Sequence, residues 1–168
     1  MDDVEPLRMP PMLLYLGKTP AFLLAWRRGP AGWEGRLAIP QSQVDVRGQA
    51  VHGLNYRWAP AGELGRLPGA DYADVPRPGP GEEDPAPLRM PPMVLAGGNP
   101  AFLLAWAPFT AEGRQGWEGC LAVPPAADGG PRTIAYERVR AGSIAKLPEA
   151  DYTGVPVLNG SSREKPPG

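Results

Sequence analysis

One cysteine, Cys120, and one histidine, His52, stand in this 168-residue chain. A lone thiol excludes an internal disulfide and a thiolate metal cluster, so no metal site and no cofactor are expected. A lone histidine with no GxSxG or HExxH around it leaves no recognisable catalytic set, and no enzyme is expected. No apolar run approaches the roughly 20 residues that span a bilayer, so no membrane partner is expected. The opening MDDVEPLR is acidic and lacks the charged-then-apolar order of a signal peptide. A cytoplasmic protein is the resulting expectation. Neither sign of charge dominates, the net value being −1. Split at Pro80, the chain carries nine Lys/Arg against eight Asp/Glu before that point and eight against ten after it. Neither half has the basic excess of a nucleic-acid footprint.

What the chain has in excess is backbone punctuation, with Gly 22 and Pro 24. That argues against long helices and for short strands joined by tight turns. The 42% hydrophobic and 21% charged content is that of a globular protein. Arginine outnumbers lysine fourteen to three. Codon bias in a high-G+C genome is the simpler cause, since Ala, Gly and Pro are abundant too; a use for planar anions is the other.

The same words are spelled twice. PLRMPPM at Pro6–Met12 returns at Pro87–Met93, and PAFLLAW at Pro20–Trp26 returns at Pro100–Trp106. WEGRLAIP at Trp33–Pro40 becomes WEGCLAVP at Trp117–Pro124, and LPGADYADVP at Leu67–Pro76 becomes LPEADYTGVP at Leu147–Pro156. Four blocks in one order, with length changes only between them, mark a tandem duplication. Residues 6–76 and 87–156 are the two expected domains. RPGPGEEDPA, residues 77–86, reads as an exposed, extended linker, and residues 157–168 as a flexible tail.

Inside each copy the period is two. In AFLLAW, Phe22, Leu24 and Trp26 alternate with Ala21, Leu23 and Ala25, and both sets are apolar, as in a strand covered on both faces. Trp33, Gly35, Leu37 and Ile39 are expected inward, and Glu34 and Arg36 outward. Met12–Leu16 and Val51–Trp58 supply two more strands. Leu64 and Leu67 have the spacing of a single helical turn closed by proline. A final extended ADYxxVP completes the unit. The expected fold is all-β: two tandem small bent barrels of four to five strands each, with a one-turn helix before the last strand.

That layout resembles the SH3-like and Tudor-like barrels in strand count, in the hairpin between Trp26 and Trp33, and in the helical turn before the last strand. The acidic loop and paired tryptophans of SH3 domains are missing, so the resemblance implies the architecture without their proline-peptide site. The blocks also resemble those of small repeat proteins from high-G+C bacteria, which implies no activity. A unit of this size buries only about 60% of its unfolded surface. Each copy therefore either closes around its own central strand, or the two exchange strands or pack face to face.

Candidate chemistry is sparse. His52, aligned with Arg132, reads as a polar residue on a strand edge. Cys120, aligned with Arg36, is expected outward or half-exposed and unreactive. Glu34 and Glu118, in identical WEG contexts, suit cross-strand ion pairs better than acid–base work. Asp71 and Asp151 suit turns in which the carboxylate accepts backbone amides. The aromatics carry the functional expectation. Trp26, Arg28, Trp33, Tyr56 and Trp58, with Trp106, Trp117, Tyr136 and Arg138, are the candidate binding surface, as a peptide groove or a cation cage. Trp58 aligns with Arg138 and marks a divergence between copies. PLRMPPM is expected to cover an open sheet edge. A protein or peptide partner is expected, with nucleic acid as the alternative through the locally basic first copy.

Overall fold

The computed structural model describes residues 4–125 and 133–158. It is all-β, with two five-stranded antiparallel sheets and only single 3-10 turns of helix among the described residues. Two compact units divide the chain. The first is built on Pro10–Met90; the second comprises, among the described residues, 4–9, 91–125 and 133–158.

In the first unit the strands are β1 (Met12–Tyr15), β2 (Thr19–Gly29), β3 (Gly32–Val44), β4 (Ala50–Pro60) and β5 (Leu64–Arg66). Their order is β4-β3-β2-β1-β5, a meander whose fifth strand returns beside the first. A 3-10 turn at Ala61–Glu63 separates β4 from β5. The expected helical turn exists, but it ends before Leu64, which opens the last strand. ADYADVP, expected as that strand, is instead a loop. The reason lies in Tyr72: its buried hydroxyl accepts from Leu67 N (2.9 Å) and donates to Met12 O (2.6 Å). Those bonds pin the loop across the sheet end. Asp71 Oδ1 accepts from Ala73 N at 2.9 Å, the turn use expected of it.

The strand covered on both faces is found: Ala21, Phe22, Leu23, Leu24 and Ala25 are all buried. Its alternation, however, breaks. The β2–β3 register shifts between Leu23 and Ala25, so Leu24 is an extra residue without an opposite number. Such a bulge reverses the side on which later residues lie. Trp26, expected with Phe22, therefore packs with Ala21 and Leu23 on the cluster that includes Leu13, Leu37, Ile39, Ala59, Tyr72 and Val75.

The second unit follows the same plan with β6 (Met93–Ala96), β7 (Asn99–Ala111), β8 (Arg114–Val123), β9 (Ala135–Arg140) and β10 (Ile144–Lys146), in the order β10-β6-β7-β8-β9. A 3-10 turn occupies Ala141–Ser143. The bulge recurs between Leu103 and Ala105, and Tyr152 repeats the hydroxyl bridge to Leu147 N (2.8 Å) and Met93 O (2.6 Å). The β7–β8 hairpin turns through Glu112 and Gly113 with φ of 52° and 74°, a left-handed pair that suits two-residue hairpins.

Each unit contains a lead-in that the sequence assigns to the other copy. Leu7 packs on the cluster of Val94, Ala101, Leu103, Trp106, Leu121 and Val155, and Leu88 packs on the cluster containing Leu23. The lead-ins, expected to cover an open sheet edge, instead meet the central strand of the opposite copy: Leu7 N donates to Leu104 O on β7 and Leu88 N to Leu24 O on β2. The linker also buries more than expected, with Pro78 buried and Pro85 half-buried. The tail expected from 157 begins with ordered pairing: Trp106 N donates to Pro156 O (2.9 Å), and Leu158 N to Trp106 O (2.8 Å). The rest of that tail, and Arg132, lie outside the described residues.

Candidate functional site

Near its end β2 carries Trp26, Arg27 and Arg28, and near its start β3 carries Trp33 and Glu34; the tight turn between the strands sets these residues opposite one another. Arg28 faces Trp33 across the ladder, its Cζ 5.0 Å from the ring centroid. Arg27 Nε donates to Glu34 Oε1 at 2.9 Å, the cross-strand ion pair expected of the WEG glutamate. The bulge turns Trp26 to the same side as Trp33. Gly35, between them on the core side, is glycine for want of room: a Cβ there would lie 2.7 Å from Leu64 Cδ1 and 2.8 Å from Leu23 Cδ1. The strand thus comes close to β5, which carries Arg66.

These approaches leave a cleft of about 180 Å³ lined by Trp26, Trp33, Ala61, Arg66 and Arg77. Arg66 comes from β5, Ala61 from the 3-10 turn, and Arg77 from the chain just after the Tyr72 loop. Trp26 N donates to Pro76 O (2.9 Å), which fixes where Arg77 leaves the sheet. Arg66 Cζ also lies 5.5 Å from the Tyr72 ring centroid. Two indoles and two guanidiniums thus converge on a space that fits one large side chain.

Of the residues expected to form a surface, Trp26 and Trp33 line this cleft and Arg28 stacks on Trp33. Tyr56 and Trp58 do not line it. They sit on β4, opposite Ala38 and Arg36 on the ladder. Arg36 Cζ lies 5.6 Å from the Tyr56 centroid and 5.7 Å from that of Trp58, and Arg27 Cζ lies 4.1 Å from Trp58. These rings already face the chain's own cations, so the arrangement does not suit a cage for a foreign cation. Burial raises the Tyr56 phenol above its ordinary range, with Arg36 pulling the other way.

The second unit distributes its candidates differently. Trp106, expected on a surface, is 3% exposed and belongs to the core. Val157, the counterpart of Arg77, packs on that same core, and its neighbours hold Trp106 from both sides. Trp117 is half-buried against the cluster, while Tyr136 is 66% exposed on β9. Arg138 stands opposite Cys120, where the first unit pairs Trp58 with Arg36. Burial raises the Cys120 thiol; Arg138 lowers it and Glu118 raises it further. Cys120 is half-exposed, as expected of it.

Sequence reasoning missed Arg66, Arg77 and Ala61. Arg66 had a signal, because its counterpart Lys146 is also basic. Arg77 had none, being the first residue of an apparent linker. His52, on the edge strand β4, has its Nδ1 2.7 Å from the Oγ of Ser42 on β3. No group of three His, Cys, Asp or Glu side chains able to hold a metal occurs among the described residues, and no helix is long and apolar enough to cross a membrane.

Comparison with protein-family models, with curated proteins and with solved structures gives no match.

Proposed function

We propose that this protein is a non-enzymatic, cytoplasmic binding module, in which tandem barrels of SH3-like layout present aromatic and arginine side chains to a protein or peptide partner. The cleft of Trp26, Trp33, Arg66 and Arg77 is the observation that carries the reading. Clefts of this kind combine apolar contact area with a few polar groups that fix orientation. The return of the fifth strand beside the first, after a 3-10 turn, supports the SH3-like layout. Selection of a random peptide library on the immobilised full chain tests the function. Peptides should be enriched by the wild-type protein and lost with Trp33→Ala, with folding of the variant checked by thermal melting. Absence of enrichment, or equal enrichment by the variant, overturns it.

One observation favours single-stranded nucleic acid as a second reading. Arg27, Arg28, Arg36, Arg57 and Arg66 each stand over an aromatic ring in the first unit. Arginine planes and aromatic faces are the parts from which base-stacking platforms are made. Retention of mixed DNA or RNA at low ionic strength, lost steeply as salt rises, is the signature required.

A further inference from the structure

The two copies differ at the position after the shared VP. In the second unit that residue is Val157, which packs on the core beside a Trp106 that is 3% exposed. In the first it is Arg77, which is exposed and lines an open cleft with a half-buried Trp26. The next residue differs as well. Leu158 donates its amide to Trp106 O, whereas Pro78 has no N–H with which to do the same for Trp26. One unit is closed by its own chain at the place where the other stays open and charged.

Resting on the peptide-binding reading above, we infer that the first unit alone takes ligand, and that its ligand is an acidic peptide anchored by a single aromatic or large aliphatic side chain. Size excludes larger guests: about 180 Å³ falls short of the roughly 300–1,000 Å³ of small-molecule and cofactor sites. One side chain between Trp26 and Trp33 fills such a space. Charge selects its neighbours. Arg66 and Arg77 come from different segments and converge on the cleft, and Arg28 stands over the Trp33 ring. Guanidinium forks of this kind match carboxylates in two-pronged geometry.

A peptide with short acidic flanks fits better than a nucleic acid. A polyanion needs a basic groove that continues along its backbone. Here Arg27 is neutralised by Glu34, and the acids Glu82, Glu83 and Asp84 follow within the same unit. The positive charge is local, not a track.

The test is fluorescence anisotropy on the full chain with a dye-labelled heptapeptide, Gly-Glu-Asp-Phe-Glu-Asp-Gly. Its controls are the same peptide with lysine for each acid, the acidic peptide with glycine for phenylalanine, and a twelve-residue oligothymidylate. The acidic phenylalanine peptide should bind, and each peptide change should weaken it at least tenfold. Arg66→Gln and Arg77→Val should weaken it similarly, and valine at 77 places there what the second unit already carries. Lys146→Gln, at the equivalent site of the second unit, should change nothing. Equal binding of the lysine peptide, tighter binding of the oligonucleotide, or insensitivity to Arg77→Val overturns the inference. If library-selected peptides of other chemistry bind and this one does not, the ligand class fails while the binding function stands. If no peptide binds, both fail.

Discussion

The amide of Leu7 donates to the carbonyl of Leu104 at 2.9 Å, and the amide of Leu88 donates to the carbonyl of Leu24 at the same distance. Leu24 and Leu104 are the bulge residues of β2 and β7, each left without a ladder partner by the register shift. A buried carbonyl in that state costs free energy unless a donor is found. The donor comes each time from the PLRMPPM segment that precedes the other copy. The more C-terminal part of the same segment stays at home, since Pro11 O accepts from Leu23 N and Pro92 O from Leu103 N, both at 2.9 Å.

Truncation of these leucines should therefore be felt in the opposite copy. Leu88→Ala should cost about 1–3 kcal/mol, less than a fully buried leucine because the side chain is half-exposed. Hydrogen exchange should quicken first at Leu23–Arg28. Leu7→Ala should quicken exchange at Leu103–Pro108 instead. Protection lost first on β7 in the Leu88 variant would contradict the exchanged lead-in.

Tyr72 and Tyr152 each use one hydroxyl to serve two backbone groups, and both bridges close the sheet end under the ADY loop. Tyr72→Phe removes the oxygen while keeping the ring, leaving Met12 O and Leu67 N to find other partners. Leaving such groups unsatisfied costs about 1–3 kcal/mol. Denaturant unfolding should show that loss for Tyr72→Phe and a similar one for Tyr152→Phe. A change below about 0.5 kcal/mol in both would show that water replaces the bridge without penalty.

Much of this was legible in the chain, and the illegible parts have physical causes. The doubly apolar AFLLA run announced a strand buried on both faces, which holds from Ala21 to Ala25. The bulge at Leu24 left no trace, because one extra apolar residue in an apolar run alters no pattern. Simple alternation therefore puts Trp26 on the wrong side. The exchange of lead-ins was equally hidden: PLRMPPM is identical in both copies, so nothing in its letters says which sheet each one meets. In the cleft, Trp26 and Trp33 were singled out by their recurrence. Arg77 is masked by its glycine- and proline-rich surroundings, although the hydrogen bond from Trp26 N to Pro76 O holds the backbone beside it in place.

The WEG glycines should resist the smallest enlargement. Gly35→Ala would set a methyl 2.7 Å from Leu64 Cδ1, and Gly119→Ala one 2.5 Å from Ile144 Cδ1. Overpacking of this sort costs about 1–3 kcal/mol. Gly53→Ala, on β4 with nothing within 4 Å of the added carbon, supplies the comparison and should be neutral or stabilising by about 0.5 kcal/mol. Chemical denaturation that ranks all three alike would mean that Leu64 on β5 and Ile144 on β10 yield without strain.

Cys120 offers a pH-dependent readout of the place where the copies diverge. Burial favours the neutral thiol, so its pKa in the folded protein lies above that of a free cysteine. Alkylation by iodoacetamide, which consumes the thiolate, should be slow at neutral pH and rise with a midpoint above that of a cysteine peptide. Arg138→Gln removes a nearby charge that stabilises the thiolate and should move the midpoint higher. Glu118→Gln should move it lower. A folded pKa above the unfolded one means that this group's stabilising contribution is complete below the unfolded pKa. It is lost as pH rises through the folded value. A midpoint at or below that of the peptide would place the thiol in water, and would contradict the packing of β8 against β9 at the Cys120–Arg138 pair.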